Sequence, residues 1–113
     1  MTNHDQRTMN NAIGALEANR VIFGISLEAR KDAPINSVFF REKNQLRILL
    51  KAGEVAKQYL EKNDPRPAAR LFLGLSKRTK KDPIGDLMTN SVKEDFKILS
   101  QQLTGLHLRQ IMS

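Results

Sequence analysis

Seven cations, Lys62, Arg66, Arg70, Lys77, Arg78, Lys80 and Lys81, fall within residues 62–81, where Asp64 is the only acid. Side chains of this type and density can neutralise consecutive phosphates, releasing condensed counterions and giving salt-sensitive affinity without base readout. The rest of the chain is nearly balanced. Residues 1–61 hold nine basic and seven acidic groups, and residues 82–113 hold three basic and four acidic. The formal net charge of +7 is therefore concentrated in one segment, an asymmetry that suggests an anionic partner.

No other arrangement spells a reaction. The phosphate-cradling and dinucleotide patterns G-x-x-x-x-G-K and G-x-G-x-x-G are absent, as are H-E-x-x-H and G-x-S-x-G. His4 lies near a terminus and His107 stands apart, so neither spacing places a local partner to orient a histidine base. Asp82 with Asp86, and Glu94 with Asp95, offer carboxylates in pairs, but each pair falls at the start of an expected helix, where the dipole favours acids. With no cysteine, disulfides, thiolate metal sites and thiol redox chemistry are excluded. The chain reads as non-enzymatic, with no catalytic residue, cofactor or metal assigned.

The elements expected to position the cations are helical. Residues 35–63 carry the longest apolar pattern: Phe39, Leu46, Leu49, Gly53, Ala56 and Leu60 form one line and Ile48, Ala52, Val55 and Tyr59 a second beside it. Asn36 is positioned to cap this central helix, Ile35 and Phe40 to staple its entry, and Pro65 to end it. An arc that wide needs neighbours on two sides. Residues 6–31 form a first helix with Met9, Ile13, Leu16, Phe23 and Leu27 on one face and Ala18, Val21, Ile25 and Ala29 beside it. The β-branched run at residues 21–25 would also suit a strand, but nothing else in the chain could pair with one.

Asp64-Pro65 marks the start of a third helix, expected to run from residue 65 to about 80. On its wheel Ala68, Leu71, Phe72 and Leu75 lie opposite a stripe of Arg66, Arg70, Lys77, Lys80 and Lys81. Arg78 borders the apolar side, and Leu73 falls within the basic face. Asp82-Pro83 stops this helix and can start a single turn through Leu87. Ser91 and Glu94 match a capping box ahead of Val92, Phe96, Leu99, Leu103 and Leu106. Gly105 then either ends the last helix or lies inside one continuing to Ile111.

The stretch of residues 68–79 resembles the helix-turn-helix pattern of bacterial regulators. Gly74, Leu75, Ser76 and Arg78 fit its turn and the start of a recognition helix. Ala69, however, stands five residues before Gly74 where the pattern wants four, and Pro83 would cut the recognition helix short. A continuous amphipathic helix accounts for the same residues, and the two readings differ on whether Gly74 bends the chain.

At 113 residues, 40% apolar and 27% charged, the chain is expected to be a single helical domain, residues 1–113. The expected fold class is all-α, a compact bundle of about four helices around a long central one. No apolar run approaches the roughly 20 residues of a membrane span, and the start of the chain does not resemble a signal peptide, so a cytoplasmic protein without a membrane partner is expected. The expected function is nucleic-acid binding, duplex DNA favoured over RNA, through Arg66, Arg70, Lys77, Arg78, Lys80 and Lys81. Two other expectations compete with it: a solvated basic face that only complements a helix dipole, and an adaptor or inhibitor that meets a protein partner. The line of Phe39, Leu46, Gly53 and Leu60 also allows a homodimer seam.

Overall fold

The computed structural model describes residues 2–112. Among these the order is α1 (Asn3–Ala29), α2 (Val38–Glu61), α3 (Arg66–Ser76), a single turn α4 (Pro83–Asp86) and α5 (Asn90–Met112), with no strand. The β-branched run at 21–25 is helical, and the expected all-α bundle is the observed one. α1 and α2 form a long hairpin. At its tight end Arg30 reaches across, its Nε 2.7 Å from Glu42 Oε2 and its Nη1 donating to the Ser26 hydroxyl and carbonyl. α3 folds back along α2, and α5 packs most extensively on α3.

Local chemistry sets each boundary. α2 is capped by Ser37, whose Oγ accepts from Phe40 N, one residue beyond the expected Asn36. This shift moves the staple positions, and Ile35 is left exposed rather than clasping Phe40. α2 ends in a Schellman motif. Asn63 takes a left-handed φ of 64°, its N–H donates to Leu60 O, and Asp64 N–H donates to Tyr59 O. α4 is the expected turn, with Asp82 Oδ1 accepting from Ile84 N. α5 begins earlier than its S-x-x-E pattern implies, because Thr89 Oγ1 accepts from Val92 N; the Ser91 and Glu94 box is not used. Gly105 is interior to α5, which continues past Ile111.

The core gathers Met9, Leu16 and Phe23 from α1, Leu46, Ala56 and Leu60 from α2, Phe72 and Leu75 from α3, and Phe96, Leu103 and Leu106 from α5. Phe72 and Phe96 stack at 5.2 Å between centroids, and Ser100 Oγ donates to Ala69 O at 2.8 Å across the same pair of helices. At the far pole, Arg109 Nη2 donates to Asp5 Oδ1 at 2.6 Å, tying the end of α5 to the start of α1.

The second apolar lines of α1 and α2 are not covered. Val21, Ile25, Ile48 and Tyr59 are exposed, as is Phe39 at the start of the first line of α2, against the expectation of neighbours on two sides. Helix length explains it. At about 1.5 Å per residue α3 spans roughly 16 Å and α2 roughly 36 Å, so α3 can shield only part of the hairpin. The molecule measures 52 × 25 × 19 Å in consequence. Of the line considered for a dimer seam, Leu46 and Leu60 are buried within the chain and Gly53 lies near Leu16, leaving Phe39 outside. No helix among the described residues is long and apolar enough to cross a membrane.

Candidate nucleic-acid interface

The basic segment begins as a helix face and ends as a loop. α3 buries Ala68, Ala69, Phe72 and Leu75 and turns Arg66, Arg70, Leu73 and Gly74 outward, as its wheel requires. The expected helix to residue 80 is not formed. Ser76 is the last helical residue, Lys77 is its C-cap, and Arg78, Thr79, Lys80 and Lys81 form the connection to α4. Lys80 and Lys81 therefore sit on a loop beyond the helix. Gly74 lies inside α3 and no second helix starts at Ser76, so the helix-turn-helix reading is also set aside.

The loop that follows α3 is seated on α4. Gly85 is buried directly against the loop: a Cβ placed on it would stand 2.1 Å from the Thr79 carbonyl oxygen and 2.9 Å from its carbon. Pro83, with no N–H, starts α4, Asp82 caps it, and the loop crosses over the bare Gly85 backbone. Gly85 is the positioning residue that sequence reasoning missed; its signal was a glycine two residues after proline in a segment already marked as a turn. Gly85→Ala forces the loop off its seat. We expect a loss of about 1–3 kcal/mol in urea denaturation, as for overpacked buried sites, together with weakened binding of whatever the loop holds.

Two of the six candidate cations are engaged by acids. Arg66 forms a fork on Asp64, Nε to Oδ1 at 2.9 Å and Nη2 to Oδ2 at 2.8 Å, and its backbone N–H donates to the same carboxylate. These hydrogen bonds hold the Asp64 pKa down at about 2, with the guanidinium charge adding to them against partial desolvation. Arg78, on the loop rather than on the expected helix, is half-buried and pairs through Nη1 with Asp82 Oδ2 at 2.8 Å. The other four, Arg70, Lys77, Lys80 and Lys81, are exposed and have no ion-pair partner among the described residues.

No known protein family, curated protein or solved structure matches this chain. What the surface can bind must follow from its charge and shape. Arg70, on the exposed face of α3, Lys77 at its C-cap, and Lys80 and Lys81 on the adjoining loop carry their charges with no ion-pair partner among the described residues. Lys77 at the C-cap also complements the negative end of the α3 dipole, while Lys80 and Lys81 lie past the range in which a dipole acts strongly. The paired acids have other duties. Asp82 caps α4, and Asp86 sits in that helix's first turn.

The Asp64 pair carries a sign-defined pH effect. Its folded pKa lies below the ordinary value of 3.8, so its stabilisation is present above about pH 4 and is lost as pH falls through about 2. Asp5, lowered in the same direction by its hydrogen bond from Arg109, adds to the decline. Asp64→Asn should flatten the acid limb of a stability-versus-pH curve. The same substitution releases Arg66 and should tighten polyanion binding severalfold at neutral pH, read by fluorescence anisotropy.

Proposed function

We propose that this chain is a non-enzymatic helical protein that binds nucleic acid, duplex DNA before RNA, by contact with the phosphate backbone. The observation that carries the proposal is the set of four exposed, acid-free cations, Arg70, Lys77, Lys80 and Lys81, on one helix face and its adjoining loop. Arg66 and Arg78 flank them and join only by exchanging their carboxylates for phosphate. Such contacts fix position without reading bases. A fluorescence-anisotropy titration with duplex DNA, duplex RNA and an anionic polymer, repeated over a salt series, tests it. Four phosphate contacts give a double-logarithmic salt slope of about −3.6 for duplex DNA, with DNA bound more tightly than the polymer. Equal binding to all three overturns the proposal, as does no binding at moderate salt.

One observation favours a second reading, a protein partner. Val21, Ile22 and Ile25 on α1, and Val38 and Phe39 at the start of α2, are large apolar side chains exposed on either side of the hairpin turn. Failure to bind any polyanion, with a partner's capture lost on Ile25→Asp and Phe39→Asp, would favour that reading.

A further inference from the structure

A groove of about 580 Å³, within the usual size of small-molecule sites, opens between α1, α2 and one edge of α3. Leu16, Phe23 and Leu75 form its base, and the half-buried Leu49, Leu50 and Leu71 open onto it. Gly53 widens it, since a Cβ there would meet only Leu16 Cδ2, at 3.9 Å. The base and walls are apolar, which suits a hydrocarbon chain.

Two independent features point to the other end of such a ligand. Asn19 lines the groove at only 8% exposure, and its Nδ2 is buried with no hydrogen-bond partner. Buried amides are seldom left this way, because the donor loses water and gains nothing. The second feature is the charge around the groove, four cations against two carboxylates. Glu17 pairs with Lys57 at 3.0 Å and Glu54 with Lys51 at 3.8 Å. Arg20 on α1 and Arg47 on α2 remain, with no ion-pair or hydrogen-bond partner among the described residues. A neutral apolar ligand would leave all of these donors unmatched, and a cationic one would be repelled.

We propose that this groove binds an amphipathic carboxylate with an unbranched acyl chain. The chain lies along Leu49, Leu50 and Leu71, and the carboxylate takes the guanidinium charge of Arg20 and Arg47, with the Asn19 amide turning from its buried position to donate to it. Planar guanidinium forks match a carboxylate well, and charge-assisted bonds of this kind are the strong ones. None of the residues lining the groove belongs to the α3–α4 loop.

Calorimetric titration of the full chain with dodecanoate, dodecanol and dodecyltrimethylammonium, each below its aggregation concentration, tests the proposal. Dodecanoate should saturate one site and bind at least about tenfold more tightly than dodecanol, from the charge-assisted contacts; the cationic amphiphile should not bind. Replacing both Arg20→Gln and Arg47→Gln, on exposed positions, should remove that preference while leaving dodecanol binding and the helical circular dichroism unchanged. Gly53→Leu fills the groove and should abolish both. Asn19→Leu separates ligand recognition from mere packing: it should raise the melting temperature of the free protein and yet weaken dodecanoate. No saturable dodecanoate binding overturns the proposal. So does equal affinity for all three amphiphiles, or a preference that survives the double arginine variant.

Discussion

Lys77→Glu combined with Lys81→Glu should, on the proposed DNA-binding role, lower duplex-DNA affinity by about a hundredfold at roughly 0.1 M salt. The magnitude follows from counterion release. One phosphate contact with a slope of about 0.9 is worth a factor of about eight between 1 M and 0.1 M salt, so two contacts give about sixtyfold, and the introduced carboxylates add repulsion. Both lysines are exposed and beyond the last helical residue of α3, so circular dichroism should be nearly unchanged, while Lys77→Glu, which opposes the α3 dipole from the C-cap, should lower the melting temperature by a few degrees at most. The salt slope should fall by about two. Arg78→Glu gives the informative contrast. Arg78 is already paired with Asp82, the α4 cap, so its reversal should act more on the seating of the loop than on phosphate contact. Anisotropy titrations of the two variants beside their thermal melts check both statements, and unchanged affinity in the double lysine variant would remove the basic loop from the binding surface.

Phe72→Ala costs about 3–5 kcal/mol, the range for truncating a fully buried aromatic residue. Phe72 is 0% exposed and faces Phe96 at 5.2 Å between centroids, so its loss removes both the buried area and the ring contact that joins α3 to α5. Whole domains are stable by only about 5–15 kcal/mol, so this variant should melt at least about 10 °C lower or fail to fold at 37 °C. Phe39→Ala provides the control. The same residue type, 57% exposed on the hairpin, should change stability by no more than about 0.5 kcal/mol. Urea titration of the pair distinguishes a residue that is apolar from one that is core, and similar losses in both would mean that the exposed hairpin face is covered in solution.

These contrasts also mark how far the sequence could be read. The wheel of α3 was legible through Lys77. It placed Arg66 and Arg70 outward and put the exposed Leu73 among them; Arg78, placed by the same wheel at the apolar border, lies instead on the loop, half-buried beside Asp82. The α4 turn was legible because Asp82 and Pro83 are strong local signals, and the α5 stripe because Phe96, Leu103 and Leu106 repeat at helical spacing. Caps were less legible. Asn36 and Ser37 offer equivalent acceptors one residue apart, as do Thr89 and Ser91 two apart, and which one caps is decided by where the helix docks.

Composition and periodicity thus determined that the chain is helical, that one segment is strongly basic, and which side of each short helix is apolar. These properties are local, set by side-chain spacing against a repeat of about 3.6 residues. Tertiary structure decided which cations are free, because Asp64 and Asp82 neutralise Arg66 and Arg78 only when the connections around α3 take their folded course. It decided how the loop after α3 is seated, through the close approach of the Thr79 carbonyl to Gly85. It also decided which apolar lines are buried. A period names a face, but whether that face meets a neighbour depends on how far a second helix extends along it, and α3 is too short to follow α2 to the end of the hairpin.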